Sequence, residues 1–131
     1  MKLDINCVRS VLLATESMNY GEQLFFQEFF QKPQLEGYSE DTVQYTCLKL
    51  VEAGYIDAKV VRYIRQANRV TIIMDLTYNG HEFLNTIRSD KNWEKIKSKA
   101  KAAGVFSLKG LFEIGSTVAA AAITSALQQI L

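Results

Sequence analysis

The residue types that carry enzyme chemistry are scarce in this sequence. His81 is the single histidine, and it has no cysteine pair or activated hydroxyl near it in the sequence. Cys7 and Cys47 lie within apolar helical patterns, which is typical of small buried residues in a reducing compartment. There is no glycine-rich phosphate loop and no set of spaced metal ligands. We therefore expect no catalytic residue, no metal site and no cofactor, and hence a protein that is not an enzyme.

The charged residues are unevenly distributed, although the chain of 131 residues has a net charge of only +1. Residues 1–58 carry a net charge of −5, residues 59–109 of +7 and residues 110–131 of −1. A basic segment can present a positive face to a polyanion, so nucleic acid is a candidate partner. For the lysine-rich stretch 91–101, an ordinary solvated helix face is the simpler explanation.

The chain is long enough for one compact core, and its first half predicts two capped helices around an aromatic segment. Asp4 is the predicted cap of the first helix, and Ser39 caps a second helix that ends at Gly54. Between them, residues 23–31 are rich in phenylalanine. Their spacing suits a helix and their composition suits a strand, and we favour the helix.

A β-hairpin and further helices are predicted next. Residues 55–65 and 69–75 are rich in Ile, Val, Tyr and Thr and flank a turn-prone stretch, as expected for an antiparallel hairpin. Thr77, Asp90 and Ser107 are the predicted caps of the following helices. This order of elements is that of a winged helix-turn-helix domain. The predicted fold class is α+β, mostly helical, with a two-stranded wing and C-terminal helices.

Two phrases strengthen this interpretation. Residues 38–45 (Tyr-Ser-Glu-Asp-Thr-Val-Gln-Tyr) lead into residues 50–56 (Leu-Val-Glu-Ala-Gly-Tyr-Ile), and residues 76–84 are Leu-Thr-Tyr-Asn-Gly-His-Glu-Phe-Leu. Similar phrases are common in bacterial winged-helix regulators. The glycine of the first phrase suits a left-handed cap after a helix, and Gly80 in the second permits close approach of another backbone.

The chain also resembles a family of small uncharacterised winged-helix proteins encoded by phages, prophages and bacterial chromosomes, mostly of Gram-positive hosts. The resemblance covers nearly the whole chain and rests on the two phrases, on residues 85–95 and on the Ser-Leu-Lys that opens an alanine-rich helix at 107–122. It implies the fold and a phage or prophage context. The family has a histidine where this chain has Thr46, so any contribution of that histidine is missing here.

The candidate nucleic-acid-binding residues follow from the winged-helix interpretation, in which the capped helix enters the major groove and the wing contacts the backbone or minor groove. They are Gln44, Tyr45 and Lys49 on the helix, and Lys59, Arg62, Arg65 and Arg69 on the wing. Glu40 and Asp41 at the start of the helix oppose phosphate binding. The wing cations are equally well explained as solvated residues that keep an edge strand from aggregating.

The last eighteen residues, 114–131, carry no charge but contain several polar side chains. We expect a helix that is apolar on two sides and packs on its own domain and on a second copy of the chain. The residues of this homodimer interface are Phe112, Gly115, Ala119, Ile123, Leu127 and Ile130. Packing on its own domain alone is nearly as good an explanation. The polar side chains argue against insertion into a membrane, which we do not expect.

We expect residues 1–88 to form the winged-helix domain and residues 89–131 a helical extension that dimerises. The leading function is a phage- or prophage-type nucleic-acid-binding accessory or regulatory protein that contacts double-stranded DNA in a bacterial cytoplasm. The alternative is a protein–protein interaction module on the same scaffold, which binds a host or phage protein such as a component of a defence system. The acidic start of the capped helix favours this alternative.

Overall fold

The computed structural model describes residues 1–130 as an α+β, mostly helical chain with a small antiparallel sheet. The elements are α1 (Ile5–Glu16), β1 (Leu24–Phe25), α2 (Phe26–Phe30), a 3-10 turn (Pro33–Leu35), α3 (Glu40–Glu52), β2 (Ile56–Val61), β3 (Arg69–Leu76), α4 (Tyr78–Ile87), α5 (Asp90–Ala103) and α6 (Leu108–Ile130). The chain divides into two compact units, Met1–His81 and a second unit that begins at Glu82. The functional domain boundary expected after residue 88 stays a prediction.

Short polar side chains start the helices, largely where the sequence indicates. Five of them accept a hydrogen bond from the backbone amide three residues further on: the predicted caps Asp4, Ser39, Thr77 and Ser107, and also Ser89. The prediction for α5 is wrong by one residue, because Ser89 and not Asp90 caps the helix. Asp90 instead lies in the first turn, where a carboxylate is favoured by the positive end of the helix dipole.

The aromatic segment is a strand followed by a helix. Leu24 and Phe25 form β1, which pairs with β3 at Ile73 and Ile72. The chain then turns directly into α2, whose Phe26 and Phe29 are buried while Phe25 remains 65% exposed. The predicted helix is therefore correct from Phe26 to Phe30 only, because pairing with β3 holds the two preceding residues extended.

The sheet has the strand order β1-β3-β2 with both pairings antiparallel. The hairpin of β2 and β3 is confirmed, with pairs from Ile56 and Leu76 at its root to Val61 and Arg69 at its far end. The predicted two-stranded ribbon is thus part of a three-stranded sheet. Its central strand, β3, places Val70, Ile73 and Leu76 in the core.

Both cysteines lie in the core of the first unit as neutral thiols. Cys7 on α1 and Cys47 on α3 are fully buried, and the Cys7 sulfur lies 4.0 Å from the carbonyl oxygen of Thr42. Burial raises the pKa of Cys7 to about 11, despite an opposing hydrogen bond with Thr46 and with a small upward contribution from Asp4. Burial also raises the pKa of Cys47. Both are free thiols, as expected from the sequence.

Gly80 allows the first turn of α4 to lie against the backbone segment that joins α3 to β2. A Cβ at this position would overlap the backbone carbonyl group of Tyr55. The same carbonyl oxygen accepts a hydrogen bond from the amide of Thr77, at 3.1 Å. The expected close backbone approach is therefore present, and no other residue fits there without moving the chain.

In the second unit, α6 packs on α4 and α5 only along its first half. The Phe112 ring lies 5.5 Å from that of Phe83, and Gly115 lies so close to Thr86 that a Cβ would come within 2.6 Å of its hydroxyl oxygen. Residues 120–130 are all exposed. By length and composition α6 is able to cross a membrane, since an 18-residue window has a mean hydropathy of 1.4 and is 17% buried.

We predict that both thiols are unreactive in the folded protein. Only the thiolate attacks a disulfide reagent, and a pKa of about 11 instead of 9.0 lowers the thiolate fraction of Cys7 about 100-fold near neutral pH. A colorimetric disulfide reagent should therefore react with neither thiol before unfolding and with both in denaturant. Rapid stoichiometric reaction of either cysteine under native conditions would contradict the buried packing of α1 on α3.

Candidate nucleic-acid interface

Gln44 links α3 to the sheet. Its side-chain nitrogen donates to the Val70 carbonyl oxygen at 2.9 Å, and its side-chain oxygen accepts from the Val70 amide, also at 2.9 Å. The side chain thus reproduces the two hydrogen bonds that a neighbouring strand would make with Val70. Gln44 is only 5% exposed. The prediction that it lies on the solvent side of α3 is therefore wrong, and it is not placed to contact bases.

Tyr45 and Lys49 do lie together on the surface of α3. The Lys49 nitrogen is 5.3 Å from the centre of the Tyr45 ring and 3.0 Å from the carboxylate of Glu52. The hydrogen bond to Glu52 raises the pKa of Lys49. The single cation of α3 is therefore already paired with an acid, while Asp41 is exposed at the other end of the helix.

Arg69 is also paired with an acid of α3. Its guanidinium donates to the Glu40 carboxylate at 2.8 Å, and both side chains are 41% exposed. Gln27 donates to the same carboxylate oxygen at 3.1 Å. At this exposure the pair adds little stability, but it offsets the charge of one predicted DNA-binding residue.

The three remaining hairpin cations are exposed and separate from acids. Lys59, Arg62 and Arg65 make no ion pair within the described part of the chain. Arg62 and Arg65 belong to the loop that continues past the last strand pair. Arg65 has φ of +65°, a left-handed conformation that costs about 1 kcal/mol for a residue with a side chain.

Two apolar side chains lie between these arginines at the hairpin tip. Ile64 is 92% exposed and Tyr63 is 45% exposed. They were not among the predicted site residues, because the strand-forming stretch was expected to continue to residue 65. In the structure β2 ends at Val61, so both side chains belong to the loop.

The hairpin is electrically polarised along its length. Asp57 and Asp75 are directly opposite each other at its root, whereas residues 58–74 contain no acidic residue. Like charges in cross-strand positions repel, so the root is the unfavourable end for an anion. The tip, with Arg62 and Arg65, is the region of the first unit best suited to bind one.

The six predicted dimer residues do not form one free surface. Phe112 and Gly115 pack within the second unit, and Ala119 is half-buried. Exposed aliphatic side chains remain at the far end of the helix, namely Ile123, Leu127 and Ile130 at 60%, 54% and 79%. The chain itself covers the first part of the predicted interface, so at most the part from Ala119 onward is open to a second copy.

His81 is exposed on α4 and is not part of the hairpin. Among residues 1–130, no group of three His, Cys, Asp or Glu side chains is placed to hold a metal ion. The remaining candidate features of the first unit, which has a small α+β fold, are the charged and apolar side chains exposed on its hairpin.

Comparison with known proteins gives the family. Residues 2–106 match the model of the family described as hypothetical protein DUF2513, and the chain belongs to this family. An uncharacterized protein of Haemophilus influenzae is 29% identical over 119 residues, covering 90% of this chain and 95% of the relative. Haemophilus is Gram-negative, so a relative of this chain occurs outside the Gram-positive hosts in which most of the resembled proteins are found. No solved structure gave a significant match.

We predict that Gln44→Leu lowers the free energy of unfolding by about 2–4 kcal/mol, because it leaves a buried amide and carbonyl of Val70 without partners. Urea unfolding followed by circular dichroism measures this loss. Gln66→Ala in the exposed hairpin loop is the control and should change stability by less than about 0.5 kcal/mol. Equal stability of the two variants would show that the link between α3 and β3 is energetically unimportant.

Proposed function

We propose that this protein is a nucleic-acid-binding accessory or regulatory protein of the winged-helix type, in which the hairpin of β2 and β3 is the wing. The order of elements supports this assignment: α1, a short strand, α2, α3 and then the hairpin. The strand order β1-β3-β2 agrees with it, because the short strand joins the hairpin at its central strand.

One observation carries the proposal. The outer part of the hairpin presents Lys59 on β2 and Arg62 and Arg65 at the tip, all exposed and without ion pairs among residues 1–130, and the acids of the hairpin are confined to its root. Phosphate attraction supplies most of the affinity of sequence-independent binding. Cations collected at the end of a projecting ribbon are therefore suited to the backbone of a duplex.

The surface of α3 supports a restricted mode of binding. Gln44 is buried, Lys49 is paired with Glu52, and Asp41 is exposed and acidic. Little of this helix is left to read base edges. We therefore propose binding led by the wing and tolerant of sequence, with Tyr45 as the aromatic side chain of α3 nearest to the duplex.

The biological setting is part of the proposal. The sequence phrases resemble those of phage- and prophage-encoded proteins, and the Haemophilus relative is bacterial. We place the function in the cytoplasm of a bacterial host, where double-stranded DNA is the partner. The expectation that the protein is not an enzyme and needs no cofactor belongs to the same proposal.

We predict that Arg62→Ala and Arg65→Ala each weaken binding to fluorescent duplexes of unrelated sequence by a similar factor. The slope of log affinity against log salt is negative, and each lost phosphate contact should make it less negative by about 0.9. Fluorescence anisotropy at salt concentrations from about 50 to 200 mM measures both quantities.

Two control variants make this test specific. Gln66→Ala in the same loop should leave affinity unchanged. Glu40→Gln should raise it, because it releases Arg69 from its carboxylate partner. Unchanged affinity in both arginine variants would remove the wing from the mechanism.

A protein–protein interaction module is the second candidate, and a different observation favours it. The tip exposes Tyr63 and Ile64, and Phe25 on the edge strand β1 is 65% exposed. Aromatic side chains are enriched at the centre of protein interfaces. Two results together would decide for this function. The protein would bind no duplex at the lowest salt, and it would capture one host or phage protein stoichiometrically, with the capture abolished by Ile64→Glu.

We also propose that the protein is a homodimer, formed through the half-buried Ala119 and the exposed Ile123, Leu127 and Ile130. Residues 120–130 are all exposed, and a helix of this length without packing is marginal in water. Pairing with a second copy would cover the aliphatic side chains, and each dimer would present two wings.

We predict that Ile123→Glu combined with Leu127→Glu weakens dimerisation at least about tenfold, because it places charges in an apolar contact. Light scattering coupled to size exclusion should show the mass falling from two chains to one. Gln128→Glu, on the opposite side of α6 from Ile123, is the control and should stay dimeric. A wild-type protein that is monomeric at micromolar concentration would refute the dimer.

A further inference from the structure

A groove runs between α5 and the second half of α6, wholly within the second unit. It encloses about 670 Å³. The residues that line it are Ser89, Lys91, Asn92, Lys95 and Lys99 on the side of α5, and Thr117, Val118, Ala121, Ala122, Ser125, Ala126 and Gln129 on α6. The two walls differ sharply in chemistry, and this difference indicates what the groove binds.

The wall on α5 is a row of lysines. Lys91, Lys95 and Lys99 are spaced four residues apart, so they share one face of the helix over about 12 Å. All three are exposed, and none forms an ion pair among residues 1–130. Glu94 is paired with Lys97 at 3.0 Å, and no carboxylate lines the groove. The row therefore attracts an anionic partner.

The wall on α6 is made mainly of small, uncharged side chains. It continues the row by which α6 packs in its first half, where Leu111, Gly115 and Val118 are buried. Beyond Val118 the same side of the helix carries alanine and serine and faces the groove instead of a neighbour. Small residues let another helix approach closely.

We propose that this groove binds an acidic amphipathic helix of another protein. The acidic side chains would pair with Lys91, Lys95 and Lys99, and the apolar face would lie on Ala121 and Ala122. Binding of a helix in a groove is a common mode of peptide recognition. The proposal is independent of nucleic-acid binding by the wing, since it uses a different surface of the chain.

A second copy of this chain fits the groove poorly. The described part of α6 contains a single acid, Glu113, and the acids of α3 lie at its two ends rather than in a row. A lipid surface fits poorly too. The aliphatic side chains Ile123 and Leu127 of α6 do not line the groove. Lipid insertion through them would therefore not use the lysine row of α5.

The test uses a synthetic helical peptide of about 20 residues with glutamates four apart on one side and alanine and leucine on the other. A peptide of identical composition, with the glutamates distributed around the helix, is its control. We expect the full-length protein to bind the first peptide at least about tenfold more tightly in fluorescence anisotropy. Equal affinity for the two peptides would overturn the proposal, because it would reduce the contact to non-specific charge attraction.

Variants of both walls locate the binding site. Lys95→Glu and Ala122→Leu should each weaken peptide binding about tenfold, the first through charge and the second by filling the groove. Lys101→Glu and Ala120→Leu are matched controls outside the lining and should bind as the wild type does. The proposal would be overturned if Lys95→Glu left peptide binding unchanged. It would also be overturned if the peptide did not bind while Lys95→Glu lowered the affinity for duplex DNA or for vesicles that contain phosphatidylglycerol.

Discussion

The arrangement of the first unit depends on one side chain that fills the role of a strand. Gln44 satisfies both backbone groups of Val70 and so fixes how α3 lies against β3. A primary amide is the only side-chain type that offers a donor and an acceptor in this geometry without charge. With α3 held in this way, Glu40, one turn earlier, meets Arg69 at the start of the same strand. These two contacts link the hairpin to the helix, in addition to the buried apolar side chains of α3 and β3.

This arrangement distributes charge in a way that net charge conceals. The acids of α3 offset the nearest cations, Lys49 and Arg69, while the tip of the hairpin keeps its own. The first unit carries most of the acidic residues of the chain and still has one strongly basic projection. Local placement, rather than the total, therefore decides which part of this molecule meets a polyanion.

Local features of the fold were predictable from the sequence, and contacts between distant residues were not. Helix caps such as Asp4 and Ser39 act within three residues, and the strand-forming stretches on both sides of the turn define the hairpin. Strand β1 exists only because Leu24 meets Ile73, a pairing that no local pattern reveals. Gln44 was misplaced for a similar reason: it lies at the border of the apolar stripe of α3, and only the position of β3 decides that this border is buried.

The candidate site shows the same limit. The hairpin cations are evident in the sequence, but the partner of Arg69 and the exposure of Ile64 depend on where β2 ends and on which helix lies beside β3. In the sequence, the lysine row of α5 is most simply explained as an ordinary solvated helix face. The row becomes a candidate binding surface only because the uncharged wall of α6 lies across the groove from it.

The uneven cover along α6 has a consequence for dynamics. One continuous helix is anchored by Leu111, Gly115 and Val118, whereas its residues 120–130 are all exposed. The exchange rate of its amide protons with solvent should therefore rise along the helix. Exchange should be slow near the anchored turns and fast, as in a fraying helix end, towards residue 130. Residues 120–130 are exposed in the single chain. Slow amide exchange in the last three turns of α6 would therefore show that another molecule covers them.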